Sequence, residues 1–205
     1  MSEIRKMVVI CIEGCHGSGK TELCTELERL QCNVLDEAFI GMPEFSLHPQ
    51  SLIMETLWIA NWFKRLLEKQ KQCSLDPRNS THTDVFFADR SPFSAIFYSQ
   101  ERGELLDPLV QEMLSTLRKS QIYVHTANLR VDKDILWNRI EQRLDKEPQR
   151  RKFNEHNREW MDKAVSFYDR RRWDIELENN RVDITNVANT LLRLVDSLCE
   201  QYMVS

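Results

Sequence analysis

Apolar residues fall along this chain in two rhythms, and their alternation predicts the fold. Residues 7–12 (MVVICI) form an unbroken apolar run of strand length, and from about Lys20 the spacing turns helical, with Leu23, Leu27 and Leu30 on one stripe. Residues 32–37 (CNVLDE) predict a short second strand ending on two carboxylates, and 50–71 a long helix rich in large apolar groups. The stretch 74–83 is polar and turn-rich, a surface loop by composition. A third strand follows at 84–89 (DVFFAD), then a helix start marked by serine and proline (RSPFSAIFYSQ). A further helix spans 106–120 with Pro108 in its first turn, and 121–127 reads as a fourth strand. Helices are predicted over 132–144 and, after a charged stretch at 145–152, over an aromatic-rich segment to about Trp173. A weak fifth strand is expected at 181–185 (RVDIT), and a last helix carries Val187, Leu191, Leu194, Val195 and Leu198 on one face.

Strands alternating with helices predict an α/β, three-layer fold: a parallel five-stranded sheet covered by helices on both faces. Ligands in such sheets gather at the carboxyl ends of the strands. Three groups fall there: the glycine-bearing segment 14–21, the pair Asp36 and Glu37, and the pair Asp89 and Arg90.

Composition narrows this without redirecting it. At 205 residues the chain suits one domain with a sizeable core. Its 28 basic and 32 acidic residues give a net charge of −4, which favours neither a nucleic-acid nor a membrane-surface partner. The six cysteines show no zinc-type or paired spacing, and Cys11 and Cys24 sit in apolar patterns, so free thiols in a reducing compartment are expected. The apolar run near the N-terminus is too short for a membrane span and lacks an export signal. A cytoplasmic site is the expectation, with a nuclear one compatible; an early Glu3 and little serine argue against mitochondrial import.

The strongest chemical signal is Gly14, Cys15, His16, Gly17, Ser18, Gly19, Lys20 and Thr21, a full match to the phosphate-loop pattern between a strand and a helix. Glycines let the backbone wrap phosphate oxygens with its N–H groups, and the helix N-terminus adds positive potential. Lys20 would bridge the outer phosphates of ATP and the Thr21 hydroxyl would hold Mg²⁺. His16 could touch a phosphate, although a solvent-facing loop histidine is the plainer expectation. A GTPase is a poor fit, since neither Gly41 nor Gly103 follows an aspartate three residues earlier and NRVD at 180–183 is only a loose base-reading element. A ring-forming remodelling ATPase would need a larger core.

FADRSPFSAIFYS (87–99) and WNRIEQRLDKE (137–147), with VLDEAF (34–39) and the phosphate loop, resemble the deoxynucleoside kinase and thymidylate kinase superfamily. The similarity runs over most of residues 7–170 and is nearest to the deoxynucleoside kinases. It implies transfer of the γ-phosphoryl group of ATP to a nucleoside or nucleoside monophosphate, with a lid at about 144–153. By resemblance Glu37 is the catalytic base, although Ala38 stands where that family usually has proline, which leaves Asp36 open. Arg90 would orient the base or meet the transferring group, and Asp89 would hold Mg²⁺ through water. Arg139 and Arg143 lie four apart on one helix face and would approach the phosphates, while Glu147 would contact the sugar. The family's second lid arginine is Asp145 here, with Arg150 or Arg151 as stand-ins. DITNV (183–187) falls where the superfamily forms its adenine loop. The resemblance further implies a homodimer through the helices around 50–71 and 91–119.

A nucleoside hydroxyl must lose a proton as it attacks, so it gains from a carboxylate base, whereas a monophosphate needs cations at the acceptor site. From Gln31 through Phe63 there is no lysine or arginine, but there are Asp36, Glu37, Glu44 and Glu55. TLWIANWF (56–63) resembles a thymidylate kinase stretch whose substrate arginine is here Trp62. Asn61 is the nearest amide to read a base, and Trp58 would stack on it or fill the core. The balance favours a nucleoside kinase, with a thymidylate-type monophosphate kinase as the alternative. A non-catalytic nucleotide-binding module is opposed by the intact Lys20, Thr21, Asp89 and Arg90.

Overall fold

The computed structural model describes residues 6–37, 45–75, 83–180 and 183–203. Its centre is β1 (Met7–Glu13), whose seven residues are all buried. The run is unbroken because both faces are covered. Met7, Val9 and Cys11 point into one apolar cluster, and Val8, Ile10 and Ile12 point into another. Each large aliphatic side chain buried in this way contributes roughly 1.5–3 kcal/mol.

β1 pairs in parallel with β3 (Asp84–Asp89) and with β4 (Ile122–Arg130). With β2 (Asn33–Leu35) and β5 (Ile175–Glu178) at the edges, the sheet order is β2-β3-β1-β4-β5. The helices α1 (Lys20–Arg29) and α7 (Ile184–Met203) cover one face through Leu23, Leu27, Leu191 and Val195. The other face is covered by α2 (Leu52–Leu75), α3 (Phe93–Tyr98) and α4 (Leu106–Lys119), using Trp58, Trp62, Phe63, Leu66, Val110 and Leu117.

A third cluster lies over the carboxyl end of β1. There α5 (Lys133–Lys146) and α6 (Arg158–Arg170) bring Leu136, Ile140, Leu144, Met161 and Ala164 against Cys15 and Phe97. A 3₁₀ segment, Pro148–Phe153, joins these two helices. Asn157 starts α6 by accepting hydrogen bonds from the amides of Glu159 and Trp160. Among the described residues no helix is long and apolar enough to cross a membrane, and the six cysteines are free thiols.

Two expectations need correction. The fifth strand is 175–178 rather than 181–185: residues 181 and 182 lie outside the described residues, and Ile184 and Thr185 begin α7. Consequently 184–187 is helical, and Asn179 and Asn180 begin the connection that follows β5. The polar stretch 74–83 begins inside α2, and its residues 76–82 lie outside the described residues, as does Ala38.

Candidate functional site

The three charged strand ends converge on one cavity of about 810 Å³ at the carboxyl edge of the sheet. Its floor is the 14–21 loop. Gly17 and Gly19 have φ of 82° and 95°, the left-handed region that glycine enters freely. Both are also crowded: a Cβ on Gly17 would lie 2.8 Å from Ile140 Cγ1, and one on Gly19 2.7 Å from Asn179 Nδ2. Asn179 in turn donates to the Ser18 carbonyl at 2.9 Å. The loop is therefore shaped from above by α5 and from the side by the end of β5.

Lys20 is buried, and its Nζ donates to the carbonyls of Gly14 at 2.7 Å and Cys15 at 2.8 Å. Burial, reinforced by Arg90, lowers its pKa to about 8. Thr21 Oγ1 donates to Asp89 Oδ2 at 2.9 Å. A hydroxyl beside a carboxylate at the foot of a phosphate loop is the hard-oxygen donor set that suits Mg²⁺ shared with substrate phosphates.

His16 departs from its expected exposure. It is 2% exposed and lines the cavity, and among the described residues its Nε2 has no hydrogen-bond partner. Desolvation, with Lys20 and Arg90 adding, holds its pKa at about 3, so it is neutral at physiological pH. Gly17, Gly19, Lys20 and Thr21 line the cavity as well, whereas Gly14, Cys15 and Ser18 lie behind it and shape the loop. Burial pushes the Cys15 thiol up to about 12, which makes it inert.

At the other end stands Arg90, held by three neighbours. Its φ is 75°, its N–H donates to the Ile12 carbonyl, and its own carbonyl accepts from Trp62 Nε1 at 3.2 Å. Glu13, fully buried at the end of β1, accepts from the Ser91 N–H at 2.8 Å, from the Ser91 hydroxyl, and from the Ser94 hydroxyl at 2.8 Å. Arg90 Nε donates to Glu37 Oε1 at 2.8 Å, and its guanidinium lies over the Tyr98 ring. Glu37 thus faces the cavity. Asp36 is drawn out to Arg65, which binds both its carboxylate and its carbonyl, and of these two carboxylates Glu37 is the one that lines the cavity.

Along the upper wall, Arg139, Arg143, Glu147 and Arg150 all line the cavity. Glu147 accepts from Arg143 at 3.4 Å and from Arg150 at 2.6 Å, and Arg150 continues to Glu155 at 3.2 Å. Arg139 Nη2 donates to the Asn180 carbonyl at 3.1 Å. Arg151 is exposed and outside the cavity lining, so Arg150 is the stand-in the geometry offers.

Trp58 is buried in the core and also lines the cavity. Asn61 does not line it: at six residues from Glu55 it falls off the inward stripe of α2. The amide that does is Gln50, whose Nε2 donates to the Phe153 carbonyl and whose Oε1 accepts from Asn154, each at 3.3 Å. Gln50, Glu55, Tyr98 and Glu155 were not anticipated as site residues, nor was Glu13 as their support. For Glu13 a signal existed: a lone carboxylate closing an apolar strand that ends at the glycine loop.

A family model described as "AAA domain" matches residues 10–162, a span containing the loop, Glu37, Arg90 and the lid-side arginines. No curated protein sequence matched. Among solved structures, deoxyadenosine kinase from M. mycoides, with dCMP and a flexible dCDP bound, superposes with a TM-score of 0.56. The two chains are 15% identical over 92% of this chain and 99% of that one. An uncharacterized protein from Eubacterium ventriosum gives 0.48 and 15% identity, over 94% and 99%.

Proposed function

Since the chain belongs to the AAA domain family and carries the P-loop fold of the nucleoside and nucleotide kinase superfamily, we propose that it phosphorylates the 5′-hydroxyl of a deoxynucleoside with ATP. The observation that carries this reading is the Glu37–Arg90 pair at the acceptor end of the cavity. A carboxylate there suits an acceptor that must shed a proton, and the Arg90 guanidinium aims it through the 2.8 Å hydrogen bond. The reading is supported by Trp62, which is buried and bonded to the Arg90 carbonyl where a thymidylate kinase has its substrate arginine.

In this mechanism the ATP phosphates lie along the 14–21 loop, with Lys20 on the outer pair. Thr21 and Asp89 would hold Mg²⁺, which would supply neutralising charge beside the phosphates. The 5′-oxygen attacks the γ-phosphorus, its proton passes to Glu37, and the bond to the bridging oxygen breaks to release ADP. Arg143 and Arg139, brought in by a lid comprising the end of α5 and the 148–153 segment, spread the charge on the transferring oxygens.

Turnover should appear with deoxynucleosides and be absent with their monophosphates. Glu37→Gln should lower kcat by about 100-fold or more while ATP binding is kept, in line with the worth of a positioned base. Turnover restricted to monophosphates, or a Glu37→Gln enzyme of normal rate, would overturn the reading.

A further inference from the structure

Glu55 is left over once the loop, the base and the arginines have been assigned. It lies on α2 one turn before Trp58, is 3% exposed, and lines the cavity. Among the described residues no group hydrogen-bonds its carboxyl; only its main-chain N–H is engaged, with the Ser51 carbonyl. The residue is buried yet lines the cavity, so its carboxyl is placed to pair with whatever fills that space. Its one open side is the cavity. A phosphate is the poorer partner, because it offers only acceptors and leaves the carbonyl oxygen of the acid unpaired. The phosphates also belong at the opposite end, against Lys20 and the arginines of α5.

We propose that Glu55 binds the base of the acceptor nucleoside and selects one with an amino group next to a ring nitrogen, the edge shared by cytosine and adenine. This rests on the nucleoside kinase reading above and supplies its substrate class. The chemistry is complementary. A carboxylic acid offers one O–H donor beside one C=O acceptor. The O–H points at the basic ring nitrogen, and the carbonyl takes a hydrogen from the amino group. A thymine or uracil edge also sets an N–H beside an acceptor, but that acceptor is a carbonyl, a weaker base than the ring nitrogen of cytosine or adenine, so the acid's O–H gains less from it. The surroundings favour the acid form: burial raises the pKa of the carboxyl well above the usual carboxylate range, Arg90 pulls it down, and the Glu37 carboxylate pushes it up again. Trp58 supplies a flat wall beside it on the same helix, and Glu37 waits for the 5′-hydroxyl.

The test is equilibrium binding, by calorimetry, of deoxycytidine, deoxyadenosine, thymidine and deoxyguanosine to the full chain with a non-hydrolysable ATP analogue. Wild type, Glu55→Gln and Glu55→Met are compared, with turnover run in parallel. The wild type should prefer deoxycytidine or deoxyadenosine. Glu55→Met should weaken that nucleoside about tenfold or more, the worth of a lost buried hydrogen-bonded pair, and leave thymidine unchanged. Glu55→Gln, which keeps a donor beside an acceptor, should stay within about threefold of wild type. As a check independent of any mutant's folding, the preferred nucleoside with hydrogen in place of its amino group should bind the wild type about tenfold more weakly.

Equal binding by wild type and Glu55→Met overturns the proposal, as does a wild-type preference for thymidine or deoxyguanosine. Uniform weakening of all four nucleosides by Glu55→Met would assign Glu55 to the sugar and overturn it too. A wild type that binds or turns over no nucleoside removes the kinase reading itself, and the proposal with it.

Discussion

Lys20 sits in a poor place for a cation, buried and close to Arg90, with two carbonyls that accept from it as partial compensation. With its pKa near 8 it is part-neutral in mild alkali, and triphosphate oxygens would restore it toward the ordinary lysine value. The sign follows directly. Below about pH 8 the amine is already protonated and binding is proton-neutral. Above that, ATP binding must take up a proton, and affinity falls as pH rises. Calorimetry of ATP binding at pH 9 in buffers of different ionisation enthalpy should show uptake approaching one proton, and at pH 7 close to none. Uptake that is the same at both values would exclude Lys20 as the group. At this scale the sequence was legible wherever a motif fixes a backbone shape, as at Gly17, Gly19 and Thr21. It was not legible for His16, whose burial depends on α5 packing down onto the loop through Gly17 and Ile140. Nor was it for Gln50 and Glu55, because a polar residue near a helix start reads as solvated until the partner wall is known.

Elements were recovered where their apolar pattern is long, and lost where one face is bare. β1 announced itself by seven consecutive buried residues. β5 did not, because as an edge strand it buries only Ile175 and Leu177, and Glu176 and Glu178 point outward. The β-branched residues of 181–185 looked the better strand by propensity, yet Ile184 is spent on starting α7. A second element-level feature is the junction between α3 and the 3₁₀ segment Gln100–Leu105. A Cβ on Gly103 would lie 1.8 Å from the Ile96 carbonyl oxygen, a backbone atom that cannot swing aside. Gly103→Ala should therefore cost about 2–4 kcal/mol, in the upper range for point substitutions, measured by urea unfolding. A cost below about 0.5 kcal/mol would show that α3 can move away freely.

The whole molecule divides its work between two rigid apolar layers around the sheet and a third cluster, over the site, that carries the charged wall. Glu147 ties Arg143 to Arg150, and Gln50 joins the 148–154 segment to the start of α2. The Glu147 pairs are part-exposed, with side-chain exposures of 32% and 39% for Arg143 and Glu147, so they add little stability. Their value is geometric. Glu147→Ala should shift unfolding free energy by less than about 1 kcal/mol, yet lower kcat/KM about tenfold or more, because the arginines lose their aim. Unchanged kcat/KM would make the network a surface ornament.

The Arg90 turn bears on how such an enzyme can change its acceptor over generations. Trp62 holds the Arg90 carbonyl and Glu13 the next amide, in a backbone geometry that few residues adopt unaided. Installing at position 62 the arginine that thymidylate kinases carry would supply a phosphate ligand and, in the same step, release the turn that aims Glu37. A lineage drifting from hydroxyl to phosphate acceptors by that single exchange would pass through a protein suited to neither. Glu13, Trp62 and Arg90 must therefore be inherited or exchanged as a set.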